Sequence, residues 1–341
     1  MDKKQITKER LKDWLLEIKN EGKQLYAPVV KKDKTDFKRI DSIDDIVWEH
    51  LQTTQSVKNI VFPRTEKLFS YRKDRGNVEL EDYNPDRLPE TVVFGLHPCD
   101  AAGFRPLSRI FNWDTPDKPY NERWKRTLLI AVSCTRCDEY CFCTSVNGGP
   151  GNTEGSDVLL TPVGDDGYLV EIITEKGKEL YEKYNRFFES VTDNINKEEY
   201  IAQVPVRFNI EEIIRNLSGM FESDSWKTRS DRCLGCGACA FVCPACACFD
   251  IQEDVGGNSG CRIRCWDSCG FSLFTLHTSG HNPRSMQSQR WRQRLMHKFS
   301  YMPERLSVVG CTGCGRCSRA CPVDMNIAAH LEIITETENE R

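Results

Sequence analysis

The stretch CTGCGRCSRACPVD, residues 311–324, places cysteines at 311, 314, 317 and 321 with a proline directly after the last. The pattern also stands earlier, as CLGCGACAFVCPAC from Cys233, with cysteines at 233, 236, 239 and 243 and Pro244 following. Three thiols spaced by two residues can wrap one corner of a compact iron–sulfur core from a single turn of chain. Where two such runs occur, the fourth cysteine of each reaches the core held by the other, and the proline turns the chain away. The spacing therefore predicts two [4Fe-4S] clusters with crossed ligands. Cys233, Cys236 and Cys239 take Cys321 as their fourth ligand, and Cys311, Cys314 and Cys317 take Cys243. Gly235, Gly237, Gly313 and Gly315 fit this scheme, because small residues let backbone N–H groups approach the sulfides. Structural zinc also uses C-x-x-C pairs, but usually as two separated knuckles. Here a third cysteine, a fourth and a proline complete the run twice.

The bulk numbers agree. The chain has 341 residues and 18 cysteines, and its net charge of -4 gives no ground for a polyanionic partner. Such cysteine density belongs to a secreted disulfide scaffold or to an intracellular metalloprotein. The N-terminus MDKKQITKERLKDW has no apolar signal-peptide core, so a cytoplasmic protein is expected. The longest apolar stretches, TVVFGL and TLLIAV, are strand-sized and too short to span a bilayer.

The expected architecture is α+β, with a mixed α/β domain over 1–222 and an α-helical ferredoxin-like domain over 223–341 carrying the two clusters. TKERLKDWLLEIKNEG puts Leu11, Trp14, Leu15 and Ile18 on one helical face, with Thr7 as cap and Gly22 as stop. KNIVFP, TVVFGL and TLLIAVSC read as short strands. VLLTPVGDDGYLVEII reads as a hairpin closed at Gly164–Gly167, NGGPGNTEG (147–155) as a loop, and NIEEIIRNLSGMFE as a helix near 209–222. From Trp226 onward the strand signals fade. The connection between the cysteine runs, 244–310, reads as helical through NPRSMQSQRWRQRLMHKFSYMPERL. Its basic residues Arg284, Arg290, Arg292, Arg294 and Lys298 read as a solvated face or docking surface, not a nucleic-acid site. The polar C-terminus reads as a short frayed end.

Ten cysteines lie outside the two runs. Cys246 and Cys248 follow the first run directly, and CRIRCWDSCGF supplies Cys261, Cys265 and Cys269. Spacing leaves three roles open for these: ligands of a further cluster, a thiol pair, or packing beside the clusters. In the N-terminal part, Cys99 sits in GLHPCDAAG, and Cys134, Cys137, Cys141 and Cys143 sit in SCTRCDEYCFC. Both segments follow predicted strands, so both can lie at one sheet edge and supply four ligands to a third cluster. Spacing alone leaves open which of the five drops out. The alternatives are a buried small hydrophobe at Cys99 and a zinc knuckle. His97 is a weaker ligand candidate.

GLHPCDAAG, SCTRCDEYCFC, CLGCGACAFVCPACACFDIQE, WDSC, GHNPR and CTGCGRCSRACP form an ordered series along most of the chain. It resembles the β subunit of cytosolic NAD(P)-linked nickel–iron hydrogenases, also called sulfhydrogenases, and is similar to the A subunit of anaerobic sulfite reductase. The resemblance implies third-site ligands at Cys99, Cys134, Cys141 and Cys143, with Cys137 outside the set. Cys246, Cys248 and Cys269 match family positions, whereas Cys261 and Cys265 depart from them. It further implies an electron carrier between a flavoprotein NAD(P)H-linked subunit and a catalytic subunit of hydrogenase, sulfite reductase or heterodisulfide reductase type.

The residues themselves give no nucleotide-binding G-x-G-x-x-G after a strand, and no C-x-x-C pairs at both ends of the kind a nickel site needs. Substrate chemistry is therefore expected on partner chains. The rival reading is a redox enzyme subunit with its own cysteine-based or cluster-based site near Cys246, Cys248 and Cys269.

Overall fold

The computed structural model describes residues 2–191 and 195–339. Twelve strands run β1 (Asp2–Thr7), β2 (Gln24–Lys31), β3 (Lys34–Arg39), β4 (Thr65–Asp74), β5 (Asn77–Glu81), β6 (Thr91–Leu96), β7 (Thr127–Val132), β8 (Val158–Val163), β9 (Gly167–Ile172), β10 (Glu189–Ser190), β11 (Phe249–Gly256) and β12 (Ser259–Trp266) among the described residues. Eight of them form one sheet, in the order β10-β1-β9-β8-β7-β6-β2-β3. Its centre, β2-β6-β7-β8, is parallel, and the flanking pairs are antiparallel. All six residues of β6 are buried, as a central parallel strand covered on both faces requires. Val92 and Phe94 enter one apolar cluster with Leu11, Trp14 and Leu15, while Val93 and Leu96 enter another with Phe62, Leu107 and Leu129. The two-residue period feeds two cores as far as Phe94, and an irregularity between Phe94 and Leu96 puts Leu96 on the side of Val93.

This central sheet fixes the N-terminal cysteines. β6 and β7 run parallel, so their carboxyl ends lie at the same edge, and Cys99 and Cys134 follow those ends directly. Crevices outside the carboxyl ends of parallel strands are where open α/β sheets place their ligands.

Local signals translate directly near the N-terminus. The first helix spans Lys8–Asn20; Thr7 caps it by accepting from the Arg10 N–H, and Leu11, Trp14, Leu15 and Ile18 are buried. The β8–β9 hairpin and the helix Ile210–Leu217 also lie where their patterns put them.

Four expectations are corrected. KNIVFP is a 3-10 turn over Val57–Ile60, not a strand. Val57, Val61 and Phe62 are buried in the second apolar cluster, and Phe62 N–H bonds back to the Lys58 carbonyl. Burial on one side of a tight turn gave the run its strand-like hydrophobicity. Second, strands do not fade after Trp226. β11 and β12 pair antiparallel, and β12 adds to β4 in a second sheet of order β11-β12-β4-β5. Every residue of β11 is exposed, so no buried alternation marks it in sequence. This sheet draws strands from both sides of residue 222. Third, the basic helix is not solvated. Gln287–Met296 continues through a wider turn, His297–Tyr301, into Met302–Leu306, and Arg290, Arg294 and Lys298 along it are buried. Fourth, the C-terminal segment is a helix, Ile327–Asn339, whose Leu331 and Ile334 join Trp226, Trp291, Leu295 and Phe299 in a third core.

A buried ion cluster joins the second sheet to the helix Lys118–Lys125 and its cap Asp117. Arg264 on β12 donates to Glu66 on β4 at 3.0 Å and to Asp117 at 2.5 Å, and Arg123 pairs with the other Glu66 oxygen. The Arg264 and Glu66 side chains are 3% and 1% exposed. Removing one member of a buried pair strands the other, at about 3–5 kcal/mol. Arg264→Met is expected to destabilise the fold by that amount in chemical denaturation, whereas Arg262→Met, at an exposed pair with Glu253, changes stability by less than about 1 kcal/mol.

Candidate metal centre

The two cysteine runs adopt one conformation. Gly235 and Gly237 have φ of 65° and 73°, and Gly313 and Gly315 have 65° and 70°. Each second glycine starts a short helix, Ala238–Phe241 and Arg316–Arg319, so each run is a left-handed loop followed by one helical turn. Side chains are also excluded by space. A Cβ on Gly237 would lie 2.5 Å from the Phe271 ring, and one on Gly313 would collide with the Cys143 backbone.

Cys233, Cys236 and Cys239 line a cavity that also receives Cys317, Cys321 and Pro322 from the second run and Cys269 from the connection between the runs. Gln287 Nε2 donates to Cys233 Sγ at 3.1 Å, and Met325 N–H donates to Cys321 Sγ at 3.2 Å. Around the second run, Gly313 N–H lies 3.5 Å from Cys311 Sγ. Lys298 Nζ bridges this run to the first, donating to Cys243 Sγ at 3.4 Å and to the Gly310 carbonyl at 2.5 Å. Burial pushes the thiols of Cys239 and Cys311 up to about 11 and about 12. Thiols in such surroundings ionise only against a positive partner, the part a metal plays.

Those surroundings contain buried cations. Lys58 and Lys298 are each 3% exposed, as is Arg294. Among the described residues none of the three pairs with a carboxylate; they face sulfur and carbonyls instead. Arg294 lies 3.7 Å from Cys246 Sγ and donates to the Cys239 carbonyl at 2.9 Å, and Lys58 donates to the carbonyls of Ala240 and Cys246. Burial works against the charges of Arg294 and Lys298, yet neighbouring thiolates hold the pKa of both above its ordinary value. The sequence named Arg294 and Lys298 but placed them on a solvated or docking face, and it did not single out Lys58. Positions 290, 294 and 298 repeat every four residues on one helical face, and that spacing was the available signal for the helix residues.

In the N-terminal part, Cys134 is raised by burial and then by Cys143 and Cys141 beside it, and Cys99 by burial and by Asp100 and Cys314. Burial also pushes Cys143 up to about 11. Arg319 Nη2 donates to Cys141 Sγ at 3.3 Å while its other nitrogens hold Asp138 and the Cys314 carbonyl. Phe142 N–H donates to the Gly313 carbonyl at 2.9 Å. Cys137 turns aside, its thiol donating to the Gln203 carbonyl. Both His97 ring nitrogens are occupied, by the Val132 and His50 carbonyls. Cys261 and Cys265 sit on β12, paired with Asp254 and Asp250, and do not join either run. Cys246 lies beside Cys243, and Cys248 beside Cys269.

Among the described residues, no three His, Cys, Asp or Glu side chains are gathered tightly enough to hold a metal ion as they stand. The donor set nonetheless suits iron–sulfur clusters, which carry their own bridging sulfides. Among the described residues, Arg294 Nε, Arg316 Nη1 and Thr312 Oγ1 are buried beside the cysteines and find no partner. Sulfide or thiolate sulfur would supply the acceptors that these donors lack.

A 4Fe-4S dicluster domain family matches residues 232–325, which include both runs. The chain is 31% identical over 320 residues to sulfhydrogenase 2 subunit beta of Pyrococcus furiosus, covering 92% of each chain. No solved structure matches it. No helix among the described residues is long and apolar enough to cross a membrane. With the repeated cysteine runs, the dicluster match and this end-to-end likeness, the chain belongs to the hydrogenase β-type family of iron–sulfur electron-transfer subunits.

Proposed function

We propose that this chain is a cytoplasmic one-electron relay between a flavoprotein NAD(P)H-linked subunit and a catalytic subunit. It carries two cubanes with crossed ligands and a third at Cys99, Cys134, Cys141 and Cys143. The observation that carries the reading is the cavity shared by Cys233, Cys236, Cys239 and Cys321, residues brought together from opposite ends of the C-terminal region. When bound, the clusters accept and release single electrons. The chain's own part is to fix the ligands, exclude water and supply buried positive charge. Potentials of such clusters follow net charge, hydrogen bonds to sulfur and burial. Lys298, Arg294 and Gln287 act on all three.

The N-terminal site packs directly on the 311 run, and that run shares ligands with the 233 run. The order of the wire is therefore N-terminal site, 311 run, 233 run. Cys236 is exposed, so the 233 run ends the wire at the surface. Anaerobically prepared protein is expected to hold about twelve iron and about twelve acid-labile sulfide per chain, the content of three cubanes. It should show no NAD(P)H turnover without its partners. Bound flavin with diaphorase activity in this chain alone, or zinc in place of iron, would overturn the proposal.

The contacts of Cys246 with Cys243 and of Cys248 with Cys269 favour a second reading, a cysteine-based redox site in this chain. Cys246→Ser separates the two. A relay keeps most of its electron flux, and a catalytic thiol loses all turnover.

A further inference from the structure

Besides the Arg319 contacts with Asp138 and Cys141 and the Phe142–Gly313 hydrogen bond, a fully buried guanidinium ties the Cys99 segment to the 311 run. Arg316 stands between Cys314 and Cys317, and Asp100 directly follows Cys99. Their side chains, each 1% exposed, form an ion pair at 2.7 Å. Arg316 is fixed further by the Thr53 carbonyl at 2.9 Å, the Thr53 hydroxyl at 2.7 Å and Gln52 Oε1. The amide nitrogen of the same Gln52 reaches Cys99 Sγ at 3.6 Å and the Cys314 carbonyl at 3.3 Å. One side chain thus touches both motifs, and one cation lies against both.

Among the described residues, the hydrogen-bond inventory of this pair is incomplete at two atoms: Arg316 Nη1 is buried and has no acceptor, and Asp100 Oδ1 is buried and has no donor. An unpaired buried donor on a charged group is costly. Apart from Asp100, the negative groups acting most strongly on Arg316 are Cys314 and Cys99, one from each motif.

We infer that Arg316 is a positioning residue shared by two redox sites, a common countercharge that raises the reduction potential of both and holds them in electrical contact. The inference rests on the third site proposed above. Each one-electron reduction adds a negative charge to a water-poor interior, and a fixed cation beside it favours that state. Asp100 opposes this through its own charge, so the two members of the pair act with opposite sign. A salt bridge serving only the fold has no such signature, because loss of either partner would perturb both sites alike.

The test is an EPR-monitored redox titration of the full chain in its complex, with iron content measured alongside. Arg316→Gln should make reduction of two of three clusters at least tenfold less favourable, a downward shift of about 59 mV for a one-electron couple. The cluster of the 233 run should not move. Arg316→Lys should recover most of the shift, and Asp100→Asn should move the same two potentials upward. Three loaded clusters in the wild type with unmoved potentials in Arg316→Gln would overturn the inference alone. So would equal shifts in all three clusters, or a downward shift in Asp100→Asn. Where Arg316→Gln fails to load iron, Asp100→Asn decides by its sign. A wild type with only two clusters' worth of iron defeats both the inference and the three-cluster reading.

Discussion

Cys321→Ser is expected to strip the cluster of the first run, 82 residues upstream of the change at its nearest ligand, Cys239, and to spare that of the second, in which Cys321 itself lies. Iron should fall by about four per chain, one cubane. Loss of a ligand should weaken metal holding by more than the 10–100-fold typical of losing an outer partner. The reason is geometric: Cys321 and Pro322 line the cavity of Cys233, Cys236 and Cys239. Assignment comes from the matching change Cys243→Ser, which should remove the other cluster's signal. Electron flux through the assembled complex should collapse in both. If Cys321→Ser removes the 311-run signal and leaves the 233-run signal intact, ligation is not crossed. Cys261→Ser, on β12, should leave iron content unchanged.

The second large effect is expected at Lys298. Its ammonium group is fully enclosed, 3.4 Å from Cys243 Sγ, and no carboxylate among the described residues balances it. Were the added charge to centre roughly 6 Å from the nitrogen, an effective dielectric of about 20 would give roughly 3 kcal/mol. For a one-electron couple that is roughly 120 mV. Lys298→Met should lower the potential of the cluster that takes Cys243 by that order. The sign follows from charge, since the cation favours the reduced, more negative state. Redox titration of the variant measures it directly, and an unchanged or raised potential would show that Lys298 serves packing only.

What sequence reading could recover depends on how local each determinant is. The first helix was legible because Leu11, Trp14, Leu15 and Ile18 repeat along one face and Thr7 caps it. The two cysteine runs were legible because cluster chemistry imposes spacing. The hairpin Phe249–Trp266 was not, because its stability comes from pairing with β4, far away in sequence, and from the Arg264–Glu66 contact. The turn at Val57–Ile60 was misread because burial made its residues apolar without giving them a strand's period. The basic helix was misread on a general expectation about charge: Arg294 and Lys298 face inward onto cysteine sulfur and carbonyls, and Arg290 is buried against Gln287 and the Arg284 and Ser285 carbonyls. The approach of Cys99 to the 311 run depends on Gln52, which no motif marks, and on Arg316, a position inside the second run that cysteine spacing does not single out.

The cavity that joins Cys233 to Cys321 also constrains biosynthesis. A nascent chain emerging from the ribosome presents Cys233, Cys236 and Cys239 long before Cys321 is translated, so its first metal-binding turn stays one thiolate short. With crossed ligation, neither cluster of the two runs can be completed before residue 317 is translated, and that of the 233 run not before residue 321. A product truncated before residue 317 would then offer delivery factors only incomplete nests at both runs, and cells would be spared spending that iron on unfinished chains.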